Sequence, residues 1–135
     1  MKVVLDTNVL ISAIFFSGPP SRILAAWIDD EFELVVSTNM LEEYREVAIR
    51  IGEEFPDFEL EPVLDRVVSN ALLVVPAHLP VDACTDPKDI KFLECAVACG
   101  ADAVVSGDRA LLRASGYAGV TVLTPRQFVD RYLDS

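Results

Sequence analysis

Five short apolar runs, mostly β-branched, punctuate the chain: Lys2–Leu5, Glu33–Val36, Leu72–Val75, Ala103–Val105 and Val120–Leu123. Runs of this length and composition predict strands buried on both faces. Between them, apolar residues recur at helical spacing. Pro19, Pro20 and Ser21 open an amphipathic helix that reaches about Asp30, with Ile23, Leu24 and Trp27 on one face. Ser37 or Thr38 caps a helix continuing to about Ile51. Gly52–Pro62, acidic and with two prolines, predicts a loop before a helix at about Val63–Asn70. Pro76–Pro87 predicts an irregular connection. Lys88–Cys99 reads as a strong helix carrying Phe92, Leu93, Ala96 and Val97 on its apolar face, ended by Gly100. A short helix at Arg109–Ala114 and a last one at Pro125–Tyr132 complete the pattern. Strands alternating with helices predict a parallel sheet covered on both faces, an α/β fold. With no repeat, low-complexity tract or long linker, residues 1–135 read as a single domain.

Composition narrows the class. Hydrophobic residues make up 52% of the 135 residues, spread along the chain. The most apolar windows, such as Ala71–Val75 and Ala101–Val105, are far shorter than the ~20 residues of a membrane span. At the start, Asp6 interrupts the apolar run before a signal-peptide core could form. A cytoplasmic protein without membrane contact is expected. Three cysteines, two of them (Cys95 and Cys99) at helical spacing, suit a reducing compartment and a packing role better than a disulfide framework. His78 and Cys84 add no recognisable zinc-ligand spacing. The net charge is −11, from 11 basic and 22 acidic residues. That balance argues against a broad electrostatic nucleic-acid binder and is compatible with acids gathered around divalent cations.

In open α/β sheets, ligands bind beyond the carboxyl ends of the strands. Strand one ends directly in Asp6, and strand four ends in Ser106-Gly107-Asp108. Strand two leads through Ser37 to the helix bearing Glu42, Glu43 and Glu46. Asp86 and Asp89 mark the start of the helix that feeds strand four. Four segments thus deliver carboxylates to one rim. Such a gathering is unfavourable unless something positive occupies its centre. Mg²⁺ or Mn²⁺, which prefer carboxylate and water oxygens, are the natural occupants. A metal so held can activate water and clamp a phosphate, which points to phosphoryl-ester hydrolysis. Singly, each acid has a plainer explanation: Asp6 an Asx-turn, Asp86 a helix cap, Asp108 a turn residue, the glutamates a solvated helix face. The inference rests on their shared placement.

These residues also fall into motifs. Asp6-Thr7-Asn8-Val9-Leu10-Ile11-Ser12-Ala13 resembles the opening of PIN domains. Ser37 followed by Leu41-Glu42-Glu43 resembles their second element, and selects Glu43 over Glu42. Asp86-Pro87-Lys88-Asp89-Ile90-Lys91-Phe92-Leu93 is similar to the third, with Asp89 in the place of the family's acid. Ala101–Asp108 resembles the fourth, and Leu123–Phe128 the last strand and helix. The likeness is greatest to the subgroup described as toxin components of toxin–antitoxin systems, the VapC-like ribonucleases.

The resemblance implies a three-layer α/β/α fold whose central parallel five-stranded sheet has the order 3-2-1-4-5. It implies a Mg²⁺- or Mn²⁺-dependent endoribonuclease cleaving RNA, with an antitoxin partner and a homodimeric state. Asp6, Glu43, Asp89 and Asp108 would form the catalytic set, with Asp6, Asp89 and Asp108 on the metal. Asn8 and Ser106 would orient them by hydrogen bonds, with Asp86 as an outer acid. Two positions depart from the pattern. Gly52–Asp57 is acidic where basic residues are common, and Ile90 stands where a further Asp is common. Arg22, Lys88, Lys91 and Arg109, with Arg45, Arg50 and Arg113, remain as candidate phosphate contacts. Two other readings compete: a non-catalytic PIN-fold binding module, and a haloacid-dehalogenase-like phosphatase. The latter needs a second Asp where this chain has Asn8.

Overall fold

A computed structural model describes residues 1–134 and carries five strands, all parallel, in the order β3-β2-β1-β4-β5. The strands are β1 (Lys2–Leu5), β2 (Glu33–Val36), β3 (Leu72–Leu73), β4 (Ala103–Val105) and β5 (Val122–Leu123). β1 lies at the centre, with Val3 paired to Leu34 on one side and to Ala103 on the other. Its Val3, Val4 and Leu5 are at most 1% exposed, as expected for a strand covered on both faces. The helices are α1 (Thr7–Phe15), α2 (Pro19–Ile28), α3 (Thr38–Gly52), α4 (Glu61–Asn70), α5 (Ile90–Cys99), α6 (Arg109–Arg113) and α7 (Pro125–Phe128). Right-handed crossovers between parallel strands put α1–α4 on one face and α5 and α6 on the other. The result is the parallel sheet covered on both faces that the sequence pattern predicts, in the three-layer α/β/α architecture and strand order that the resemblance implies.

One large core runs through the sheet and includes Leu10, Ile23, Trp27, Met40, Leu93, Leu111 and Phe128. Ile11, Ala48 and Leu64 form a smaller one between helices, beside which Phe15 stacks with Phe55 (centroids 5.3 Å apart). Tyr44 is buried within the main core, and its hydroxyl donates to the Leu5 carbonyl, tying α3 to the end of β1. All three cysteines are free thiols, and burial pushes that of Cys95 up to about 12.

The elements differ from the expected pattern in several places. α1 occupies a stretch where periodicity predicts no helix: Thr7–Phe15 is apolar almost all round, with Val9, Leu10, Ile11 and Ala13 all buried. A helix apolar on every side shows no amphipathic signature. α4 starts at Glu61, two residues before the expected Val63, because Pro62 suits the first turn. β3 pairs only at Leu72 and Leu73, and Val75 is 88% exposed. β5 begins at Val122 rather than Val120. A 3₁₀ turn at Pro87–Asp89 precedes α5, and a π-helical turn at Val129–Leu133 follows α7. Among the described residues, no single helix is long and apolar enough to cross a membrane.

Candidate metal centre

The chain leaves β1 toward β2 on one side, and later returns to place β4 on the other. A crevice therefore opens beyond the carboxyl ends of β1 and β4, the usual ligand position in open α/β sheets. A cleft of about 300 Å³ lies there. Asp6, Glu43, Asp86, Asp89 and Asp108 all line it, so the rim gathers the acids that the sequence picks out.

Local folding rules hold most of them in place. Asp6 caps α1: its Oδ1 accepts from the Val9 amide at 2.8 Å, and its Oδ2 accepts from the Ser106 hydroxyl. Asp108 caps α6, accepting from the Ala110 amide at 2.8 Å, while its own amide donates to Ser106 Oγ at 2.9 Å. Asp86 caps the 3₁₀ turn through the Lys88 amide at 3.0 Å. Capping aims helical N–H groups at these carboxylates, which partly offsets their mutual repulsion. Glu43 is only partly exposed, while Glu42 and Glu46 on the same helix are exposed and stand outside the cleft.

Asp86, Asp89 and Asp108 come closest together: one carboxylate oxygen from each lies within 4.8 Å of the others. Asp6 stands beside this triad rather than within it, and Asp86, expected as an outer acid, is one of its members. Asp89 Oδ2 is a buried acceptor with no hydrogen-bond partner. An orphaned buried oxygen is unfavourable on its own and is satisfied by a cation. The donor set is all carboxylate, which fits a hard divalent ion of the Mg²⁺ or Mn²⁺ kind better than zinc.

Burial and crowding leave their mark on the acids. Asp6 is raised to about 6, chiefly by burial, against the lowering effect of the Ser106 and Val9 hydrogen bonds. Asp89 is also raised to about 6, by burial first and then by Asp108, Asp86, Asp6 and Glu43. Both are carboxylates whose charged form lacks a countercharge. Perturbed groups of this kind, in a cleft, mark functional sites.

The remaining expected residues divide. Ser106, fully buried, bridges Asp6 and the Asp108 amide as expected of an orienting residue. Asn8 lines the cleft, but among the described residues its side chain makes no hydrogen bond to the acids. That contact is made by Thr7, which sequence reasoning did not single out: its hydroxyl donates to Glu43 Oε2. Lys88 and Arg50 line the cleft, and Lys91 Nζ lies 2.6 Å from Glu43 Oε1. Arg22 does not line it and pairs instead with Asp134 at 2.6 Å. Arg109 is exposed and also stands outside the lining.

A parallel α/β domain with an acidic, metal-compatible rim at its switch point is the class that fold and site define. The family profile of the PIN domain matches residues 2–110, and the chain belongs to that family. Proteins of the family are generally nucleases that use divalent metals. No individual curated protein matches the chain significantly.

Proposed function

We propose that this protein is a metal-dependent endoribonuclease that hydrolyses RNA phosphodiester bonds. The observation that carries the reading is the convergence of Asp86, Asp89 and Asp108, one oxygen of each within 4.8 Å of the others, together with the unpartnered Asp89 Oδ2. These three would hold a Mg²⁺ or Mn²⁺ ion, with Asp6 adjoining them. Bound there, the ion would supply Lewis-acid polarisation of a phosphate and an acidified water. Asp6 is kept in place by Ser106 and the Val9 amide. Glu43, gripped from both sides, is suited to orienting a water or a phosphate oxygen rather than moving toward one. Lys88 and Arg50 offer phosphate contacts in a cleft otherwise dominated by acids.

RNA as the substrate, a role as the toxin of a toxin–antitoxin pair, an antitoxin partner, a homodimeric state and a cytoplasmic location rest on the resemblance to VapC-like proteins. The decisive experiment incubates purified protein with labelled RNA and Mn²⁺ or Mg²⁺. Cleavage should require the ion and vanish in Asp89→Asn. Equal cleavage by wild type and variant would mean that the activity belongs to a contaminant. The net charge of −11 favours a second reading, a PIN-fold protein-binding module that cleaves nothing. Ion binding without cleavage of any RNA would favour it.

A further inference from the structure

Five carboxylates share the rim, but they are not held alike. Among the described residues, Asp86, Asp89 and Asp108 face one another without a basic side chain as ion-pair partner. Glu43 has its own: Lys91 Nζ lies 2.6 Å from Oε1, while the Thr7 hydroxyl donates to Oε2. Each oxygen of Glu43 is therefore engaged, by α5 on one side and α1 on the other. The pair is sheltered, with side chains only 20% and 28% exposed, whereas the other two ion pairs of the described residues are about half exposed or more. A sheltered, charge-assisted hydrogen bond is about twice as strong as a neutral one. Thr7 is itself buried, so neither neighbour of Glu43 is a loose surface group.

We infer that Lys91 is a positioning residue of the site, which withholds Glu43 from the aspartate cluster and keeps it as a neutralised hydrogen-bonding group beside the metal. The inference rests on the metal-dependent reading above. Without Lys91, Glu43 becomes an unpaired carboxylate next to a cation site, and nothing but Thr7 opposes its joining the ligands. Divalent-ion affinity would then rise while the geometry needed for turnover is lost. A lysine serving only as an RNA phosphate contact would leave ion affinity to the general field. One serving only to hold the fold together would weaken ion binding.

The test is a double-mutant cycle read by calorimetric Mn²⁺ titration of the full chain without RNA. Lys91→Met should bind Mn²⁺ roughly fivefold to tenfold more tightly than wild type, as one more ionised oxygen becomes free to join a hard cation. Lys91→Arg should restore the wild-type affinity. In a Glu43→Gln background, Lys91→Met should bring no gain, because the group that would join the ion is gone. Lys91→Gln, polar and still a donor, repeats the measurement should the Met variant fold poorly. Where RNA is cleaved, Lys91→Met should lower kcat with little change in KM. Unchanged or weaker Mn²⁺ binding in both Lys91→Met and Lys91→Gln overturns the inference. So does a gain that persists with Gln at position 43, which would be a field effect alone. Tight Mn²⁺ binding by a wild type that cleaves no RNA defeats the ribonuclease reading while the cycle still decides the role of Lys91. A wild type that binds no Mn²⁺ defeats both.

Discussion

Ser106 binds to Asp6 across the two central strands: its hydroxyl donates to Asp6 Oδ2 and in turn accepts the Asp108 amide at 2.9 Å. One fully buried hydroxyl therefore sets the position of two acids on the ends of β1 and β4. Ser106→Ala removes this link and leaves Asp6 Oδ2 without its donor. The expected loss is about 1–3 kcal/mol of folding stability, the penalty of a buried unsatisfied group. Asp6 should also be pushed further upward, since the Ser106 hydrogen bond is what most opposes burial there. Urea unfolding and Mn²⁺ affinity at pH 6.5 measure the two effects, and a fully stable variant with wild-type affinity would refute the link.

Folding of the ion-free protein should depend on pH with a definite sign. Asp6 moves from an ordinary 3.8 to about 6 in the folded chain. Between these values the folded state binds more protons than the unfolded one, so stability falls as pH rises from about 4 to about 6. For Asp6 alone the loss corresponds to roughly 3 kcal/mol. Asp89, also raised to about 6 but less deeply enclosed, adds a smaller amount in the same window. Added Mn²⁺ should restore much of the stability at pH 7 and little at pH 4.5. Unfolding curves with EDTA and with Mn²⁺ across this range provide the measurement, and a flat EDTA profile would contradict it.

Asp6→Asn separates stability from activity. Asn is an equally good cap for α1: its Oδ1 can still accept from the Val9 amide, while its amide nitrogen would donate to Ser106 Oγ where Asp6 Oδ2 accepted. It carries no charge to desolvate. The ion-free variant should therefore be about 1–3 kcal/mol more stable than wild type at pH 7, with a weakened pH dependence. RNA cleavage should be lost. A variant that is both less stable and inactive would show that Asp6 is needed for folding itself.

Gly100 provides a control remote from this chemistry. It ends α5 with φ +64°, a left-handed conformation in which a Cβ is strained although no atom lies within 4 Å of its place. Gly100→Ala should lose about 1 kcal/mol of stability. Mn²⁺ affinity and cleavage should not change. A substantial loss of ion binding would show that the start of β4 transmits strain to Asp108.

Much of this arrangement was legible in the sequence, for identifiable reasons. Lys2–Leu5 and Ala103–Val105 announce buried parallel strands by being apolar on both faces, and the acids that follow each strand lie on the rim by topology alone. The α1 helix was not legible, because its sequence is apolar almost all round; Asp6, whose plainer reading is an Asx-turn, in fact caps it. Asp86 was legible as a cap, and it does cap, but its closeness to Asp89 and Asp108 depends on the 3₁₀ turn that brings it inward. The grip of Thr7 and Lys91 on Glu43 joins positions 36 and 48 residues apart, a proximity no local pattern encodes.

The hydrogen bond between Ser106 and Asp6 spans 100 residues of chain. β1, made first, has at one side a partner strand that is made only after residue 102. During synthesis, which proceeds from the N-terminus, Asp6 must wait 100 residues before the Ser106 hydroxyl that orients it exists. Premature termination anywhere before Asp108 leaves a fragment that lacks a member of the aspartate triad. An ion site built on this triad thus cannot exist before β4 and the turn that follows it have been made, although the sheet still lacks β5 at that point.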